Sequence, residues 1–206
     1  MKRICDLDVG PEPDTEKPEE LLRLAHDSMV YRTERRKLEN WILLNFCCAY
    51  NRDQTQKFEW VEDVEPPEPD YRIYTAQDAP AVACEVTEVL DPGRRRQQEY
   101  KSALKDARRT GEYLVARDVP EAPADYDAQL IEQTRAVLSK KFDKTKYPVG
   151  SWLVVYFNPT LFMPWHEDTL AYATRILTAA LQATAAPQRI AQVWVLTNNG
   201  QVARLR

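Results

Sequence analysis

The chain has 206 residues, 44% of them hydrophobic and 29% charged, and a formal net charge of −4. This length is typical of one domain with a sizeable core. No apolar run reaches membrane-spanning length and the N-terminus lacks a signal-peptide core, so we expect a cytoplasmic bacterial or phage protein. The acidic total is atypical of a strong nucleic-acid binder, although the distribution of charge matters more than the total.

Several enzyme classes leave no trace in the sequence. It has no glycine-rich phosphate loop, no Gly-x-Ser-x-Gly context around any serine, and no C-x-x-C pair. Nucleotide enzymes, serine hydrolases and zinc proteins are therefore disfavoured. We expect the four cysteines (Cys5, Cys47, Cys48 and Cys84) to be reduced and buried thiols.

The N-terminal part is expected to be a flexible acidic arm followed by helix. Residues 1–17 are acidic and contain prolines, which predicts a flexible arm or a loosely docked segment. Residues 18–206 are predicted to form a single domain. Pro18 and the acids after it favour a helix start. Apolar residues at helical spacing continue to Phe46, as one long helix or as two that break near Tyr31 to Thr33.

Three strands are predicted next. The run from Phe58 to Val64 is typical of a first strand, and the runs Tyr71 to Thr75 and Ala81 to Leu90 predict a hairpin. A hairpin centre between Gln77 and Asp78 pairs Arg72 with Ala83 and Tyr74 with Ala81.

The same register places Asp70 opposite Glu85. Directly opposed residues on antiparallel strands have Cβ atoms about 5 Å apart, where two carboxylates repel unless a positive charge lies between them. A divalent metal ion with oxygen ligands meets that requirement. The alternatives are a register that differs by one residue, or two acids that simply face water.

Pro69-Asp70 on one strand and Glu85-Val86-Thr87 on the next form a short motif that resembles the PD-(D/E)XK nuclease superfamily. The Gly-Arg-Arg-Arg run that follows resembles uncharacterised bacterial members of this fold. The resemblance covers most of the chain. It implies that the single domain of residues 18–206 has an α/β, restriction-endonuclease-like core: an N-terminal helix, an antiparallel three-strand meander, a helix, and further buried strands with covering helices.

The resemblance also implies the site residues. Asp70, Glu85 and the backbone carbonyl of Val86 would hold Mg²⁺ or Mn²⁺, and Glu39 on the first helix would be a further acid. The family has lysine where this chain has Thr87, so we expect slow cleavage or none. Arg94 and Lys101, from the segment after the hairpin, are the candidates to replace that charge. The catalytic set implied is therefore Asp70, Glu85, Thr87 and Lys101.

A basic segment follows the hairpin. Asp91-Pro92-Gly93 predicts a break, and a helix is expected to run from there to about Thr110. Basic residues at helical spacing form one stripe that could bind a phosphate backbone, of DNA rather than RNA. The alternative is a solvated helix face. The predicted nucleic-acid contacts are Arg94, Arg95, Lys101, Lys105 and Arg108.

The C-terminal half is predicted to alternate helix and buried strand. A helix over Ala128 to Phe142, with Asp125 as its cap, precedes a strand over Ser151 to Phe157. A helix from about Glu167 to Ala183 precedes a strand over Ile190 to Thr197, and Asn198-Asn199-Gly200 predicts a turn.

Two functions remain open. The first is a metal-dependent nuclease that cleaves phosphodiester bonds in DNA or RNA, slowly because of Thr87. The second is a catalytically inactive protein of the same fold that binds nucleic acid or a protein partner. A homodimer is a further expectation, and contact with a membrane is not expected.

Overall fold

The computed structural model describes residues 1–7, 32–64, 69–93, 124–145, 147–159, 168–185 and 188–206. The chain divides into two compact units. The larger contains residues 1–7, 42–92 and 121–206, and the smaller contains residues 8–41 and 93–120. All of the strands below lie in the larger unit, and in the smaller one the described residues are the start of a helix and Gly93.

Seven strands form one sheet within the described ranges, and their order in the sheet is their order along the chain. They are β1 (Lys2–Arg3), β2 (Trp60–Asp63), β3 (Tyr71–Tyr74), β4 (Val82–Val89), β5 (Ser151–Phe157), β6 (Ile190–Thr197) and β7 (Val202–Arg204).

Three α-helices accompany the sheet in the same ranges: α1 (Arg32–Asp53), α2 (Tyr126–Phe142) and α3 (Thr169–Gln182). A single turn of 3-10 helix, Ile4–Asp6, follows β1. Among these helices, none is long and apolar enough to cross a lipid bilayer.

Strands β1 to β4 are antiparallel neighbours, β4, β5 and β6 run parallel, and β7 returns antiparallel to β6. Parallel neighbours need a crossover connection, and α3 lies in the crossover from β5 to β6. The predicted α/β class and the antiparallel meander β2–β3–β4 are thereby confirmed. The restriction-endonuclease-like core stays a prediction.

The first seven residues of the N-terminal segment are docked on the sheet, which is the second of the two expectations for this segment. Lys2 and Arg3 pair with Val61 and Trp60 as an edge strand, and the Ile4 amide donates to the carbonyl of Glu59. The physical reason is that the edge of β2 offers backbone hydrogen bonds, while Ile4 and Leu7 are buried. Residues 8–17 of the arm lie outside the described ranges.

Each face of the sheet has its own core because side chains alternate along a strand. Leu153, Val155 and Phe157 of β5 pack with α2 and α3. On the other face, Phe46 of α1 contacts Trp194 of β6, with ring centroids 5.6 Å apart.

The expectation of buried thiols is correct for Cys47 and Cys84 and wrong for Cys5 and Cys48, which are exposed. Burial raises the pKa of the Cys47 and Cys84 thiols, so these two remain protonated. Cys47 and Cys48 point in different directions, as expected for neighbours on a helix.

A buried polar contact ties α2 to the end of β4. The Tyr126 hydroxyl donates to the fully buried Asp91 carboxylate at 2.5 Å, and the Gln133 side-chain amide donates to the Leu90 carbonyl at 2.8 Å. Asp125 is the N-cap residue of α2, as predicted, but its side chain makes no capping hydrogen bond; its backbone carbonyl accepts one from the Gln129 amide.

We expect Tyr126→Phe to lower the free energy of unfolding by about 2 kcal/mol, because a hydrogen bond to a buried charged group is lost. Tyr172→Phe is the matched control. The Tyr172 hydroxyl donates to Asp127, which is 43% exposed and also pairs with Arg175. Urea unfolding of both variants measures the difference, and equal losses would contradict this role for Asp91.

Candidate functional site

The hairpin β3–β4 has the predicted register. Arg72 is opposite Ala83 and Tyr71 is opposite Cys84, which places Asp70 opposite Glu85 just before β3 begins. The Asp70 amide lies 3.3 Å from Glu85 Oε2, and the Val86 amide donates to Asp70 Oδ2 at 3.0 Å. The two acids therefore lie together on one face of the sheet. Each carboxylate accepts a hydrogen bond from a backbone amide of the opposite strand segment.

A lysine from another element completes this cluster. The Lys141 ammonium, in the last turn of α2, forms an ion pair with Glu85 Oε1 and lies 3.5 Å from the Val86 carbonyl oxygen. The Lys144 ammonium lies 3.5 Å from the same carboxylate oxygen. Glu85 is only 2% exposed, so its charge is held inside the protein by these two cations.

The position of Lys141 follows from the packing of α2. Glu85 lies on the face of β4 that Val89 also occupies, and Val89 packs with Leu138, one turn before Lys141. The apolar face of α2 therefore brings the end of the helix over Glu85. The Lys141 side chain is 14% exposed, so its stem is buried while its ammonium reaches the carboxylate.

The ionisation of Glu85 is decided by two opposed effects. Burial disfavours the charged form, but the Lys141 ammonium beside it, with smaller effects from Tyr147 and Lys144, holds the pKa of Glu85 below its ordinary value. Burial, and then the Glu85 carboxylate, raise the pKa of the Tyr147 hydroxyl. Glu85 is therefore a carboxylate at neutral pH, and Tyr147 is a neutral phenol.

This shift predicts an acid dependence of stability. The pKa of Glu85 is lower in the folded protein than in the unfolded chain. Its contribution to the free energy of unfolding is therefore fully present above the unfolded pKa of about 4.3, and it is lost as the pH falls through the folded pKa. We expect the Tm of the wild-type protein to fall more steeply than that of Glu85→Gln from about pH 4.5 downward. Parallel curves in a thermal-unfolding series would contradict the shift.

The oxygens of Asp70, Glu85 and the Val86 carbonyl are hard ligands of the kind that Mg²⁺ prefers. Mg²⁺ retains several waters, so two carboxylates suffice to anchor it. Within the described ranges, no group of three or more His, Cys, Asp or Glu residues is arranged to hold a metal ion. Glu39 lies in the smaller unit, where it pairs with Arg36 at 3.5 Å, and its role as a further ligand stays a prediction.

Thr87 lies on β4, two residues beyond Glu85 and therefore on the same face of the strand. It is half-buried and opposes Val155 of β5. Its hydroxyl carries no positive charge, whereas Lys141 brings one to the same face from α2.

Reasoning from the sequence missed Lys141 and favoured Lys101. The available signal was the run Lys140-Lys141-x-x-Lys144, which ends a helix shortly before the strand Ser151 to Phe157. Lys101 is the lysine nearest to Glu85 in sequence, and it lies outside the described residues. The packing of α2, which lies between the parallel strands β4 and β5 in the chain, brings the distant Lys141 to the site.

The predicted basic stripe lies outside the described residues. Nothing in the described ranges therefore tests the proposed nucleic-acid contacts Arg94, Arg95, Lys101, Lys105 and Arg108.

The described residues define a mixed α/β protein whose candidate site is a buried acid–lysine cluster beside the edge of its meander. No protein-family model, curated protein or solved structure matches the chain.

Proposed function

We propose that this chain is a metal-dependent phosphodiesterase acting on nucleic acid, with Asp70 and Glu85 as its acids and Lys141 as its catalytic cation. The observation that carries the proposal is the contact of Lys141 Nζ with both the Glu85 carboxylate and the Val86 carbonyl. These are two of the four groups that the family resemblance assigns to the metal. Lys141 therefore brings to the Glu85 and Val86 oxygens the positive charge that the family lysine would carry at the position of Thr87.

Each residue has a distinct task in this proposal. Asp70, Glu85 and the Val86 carbonyl would hold Mg²⁺ or Mn²⁺, which when bound polarises a phosphodiester and lowers the pKa of an attacking water. The Val86 amide holds Asp70 in place, and Lys144 partly neutralises Glu85. Lys141 orients the water and stabilises the negative charge that develops on the phosphate.

A second function is favoured by the same contact. Lys141 and Lys144 together neutralise Glu85, so the charge of this carboxylate does not by itself require a metal ion. An inactive protein that binds nucleic acid or a protein partner would use the cluster only as a structural device. The two functions differ in whether Asp70 and Lys141 affect cleavage.

We expect the wild-type protein to cleave DNA in Mg²⁺ or Mn²⁺ and to stop when EDTA is added. Asp70→Asn should lower the rate by about 10²-fold or more, because it removes a charge from the ligand set. Single-stranded, duplex and branched DNA and an RNA should be assayed together. The matched control is Asp78→Asn, an exposed acid in the β3–β4 turn of the same unit that is not part of the cluster.

Metal-dependent heat stabilisation separates the two functions further. Mg²⁺ at millimolar concentration should raise the Tm of the wild-type protein and leave that of Asp70→Asn unchanged. Absence of cleavage on every substrate, together with no stabilisation by either metal, would overturn the nuclease proposal in favour of the inactive protein.

A further inference from the structure

A cavity of about 390 Å³ lies on the face of the sheet opposite Glu85. Its aromatic lining consists of Tyr50 from α1, Trp152 from β5 and Trp194 from β6. In the parallel pair β4–β5, Trp152 lies opposite Cys84, and the next pair is Glu85 with Leu153. Because side chains alternate between the two faces of a sheet, the Trp152 indole and the Glu85 carboxylate lie on opposite faces. The cavity is therefore separate from the acid–lysine cluster.

The three rings pack against one another beside the cavity. Trp194 is 8% exposed, while Trp152 and Tyr50 are half-buried. The ring centroids of Trp152 and Trp194 are 5.7 Å apart, and those of Tyr50 and Trp194 are 5.4 Å apart. Side chains packed this closely hold their rotamers, so the cavity is rigid and aromatic before any ligand enters.

Polar groups line the rest of the cavity. Asp53 and Gln54 come from the end of α1, Gln192 from β6, and Arg204 from β7. Arg204 is directly opposite Trp194 in the antiparallel pair β6–β7, so the two side chains leave the same face of the sheet. In the part of the chain that the structure describes, neither Asp53 nor Arg204 forms a salt bridge.

The polar groups determine what kind of ligand fits. The Trp194 indole N–H donates to Gln192 Oε1 at 3.0 Å, so that N–H already has its acceptor and the Gln192 amide keeps its two N–H donors. A ligand must therefore be planar to use the rings, and must carry edge acceptors for the amides. It must also carry an anionic group for Arg204.

We infer that this cavity binds one nucleotide, with its base against the tryptophan rings and its phosphate at Arg204. Base–aromatic stacking is tolerant of base identity, and glutamine amides recognise base edges. The volume is in the range of small-molecule sites. The inference does not depend on cleavage, because Asp70, Glu85 and Lys141 do not line the cavity.

The competing ligand class for three aromatic rings beside an acid is a quaternary ammonium ion. Asp53 would favour such a cation, whereas Arg204, which lines the same cavity, opposes it. Choline is therefore the probe that discriminates between the two ligand classes.

The test is a titration of the full chain in EDTA with AMP, adenosine and choline, followed by calorimetry and by quenching of tryptophan fluorescence. AMP should bind more tightly than adenosine, and Arg204→Ala should weaken AMP by about tenfold while leaving adenosine unchanged. The matched control is Arg206→Ala, which removes an exposed charge two residues away that does not line the cavity.

Two further variants make the result independent of folding defects, and the EDTA excludes metal-dependent cleavage. Trp152→Phe keeps a ring and should retain AMP binding with less quenching, while Glu132→Gln, an exposed acid of α2 that does not line the cavity, should bind AMP as the wild-type protein does. Binding of choline without AMP, equal effects of Arg204→Ala and Arg206→Ala, or no binding of AMP would overturn the inference.

Discussion

Lys141→Ala is expected to lower the rate of metal-dependent cleavage by about 10²–10³-fold, the usual effect of losing one well-placed stabilising group. The reason is that Lys141 is the cation that contacts both Glu85 and the Val86 carbonyl. Lys140→Ala is the matched control, since Lys140 is the preceding residue of the same helix and is exposed. Single-turnover cleavage at a temperature where both variants are folded measures the effect.

The rescue variant is Thr87→Lys in the Lys141→Ala background. It restores a lysine on β4, on the same face as Glu85, and we expect it to recover at least about tenfold of the lost rate. Thr87→Lys alone places a third cation beside Lys141 and Lys144, so a smaller effect is expected in the wild-type background. Equal activity of Lys141→Ala and Lys140→Ala would remove Lys141 from the mechanism.

Lys141→Met is expected to lower the free energy of unfolding by about 3 kcal/mol, because it leaves the buried Glu85 carboxylate without its main partner. Glu85 is 2% exposed and Lys144 lies 3.5 Å away, so the compensation that remains is partial. Urea unfolding with two probes measures the loss.

The double variant Glu85→Gln/Lys141→Met separates stability from catalysis. Removing both charges leaves no unpaired ion, so most of the lost stability should return, while cleavage should remain absent. Arg135→Met is the control, because its ion pair with Glu132 is solvent-exposed and should contribute less than about 1 kcal/mol. A double variant as unstable as Lys141→Met would show that packing, rather than charge, causes the loss.

Short-range patterns in the sequence determined much of the sheet. The continuous apolar runs Ser151 to Phe157 and Ile190 to Thr197 predicted two buried strands at their observed bounds. The symmetric hairpin predicted the pairing of Arg72 with Ala83, and through it the proximity of Asp70 and Glu85. Such features can be predicted from the sequence because the two strands of a hairpin are close together in the chain and the side chains of a strand alternate with a fixed period of two.

Only the tertiary structure decided which cation reaches Glu85. Lys141 is 56 residues away along the chain, and it arrives because α2 packs on the face of β4 that carries Glu85 and Val89. The aromatic cavity depends in the same way on the parallel pairing of β5 with β6 and on the return of β7, which gathers Trp152, Trp194 and Arg204. Such contacts are set by the packing of elements distant in sequence, and no local period or motif encodes that packing.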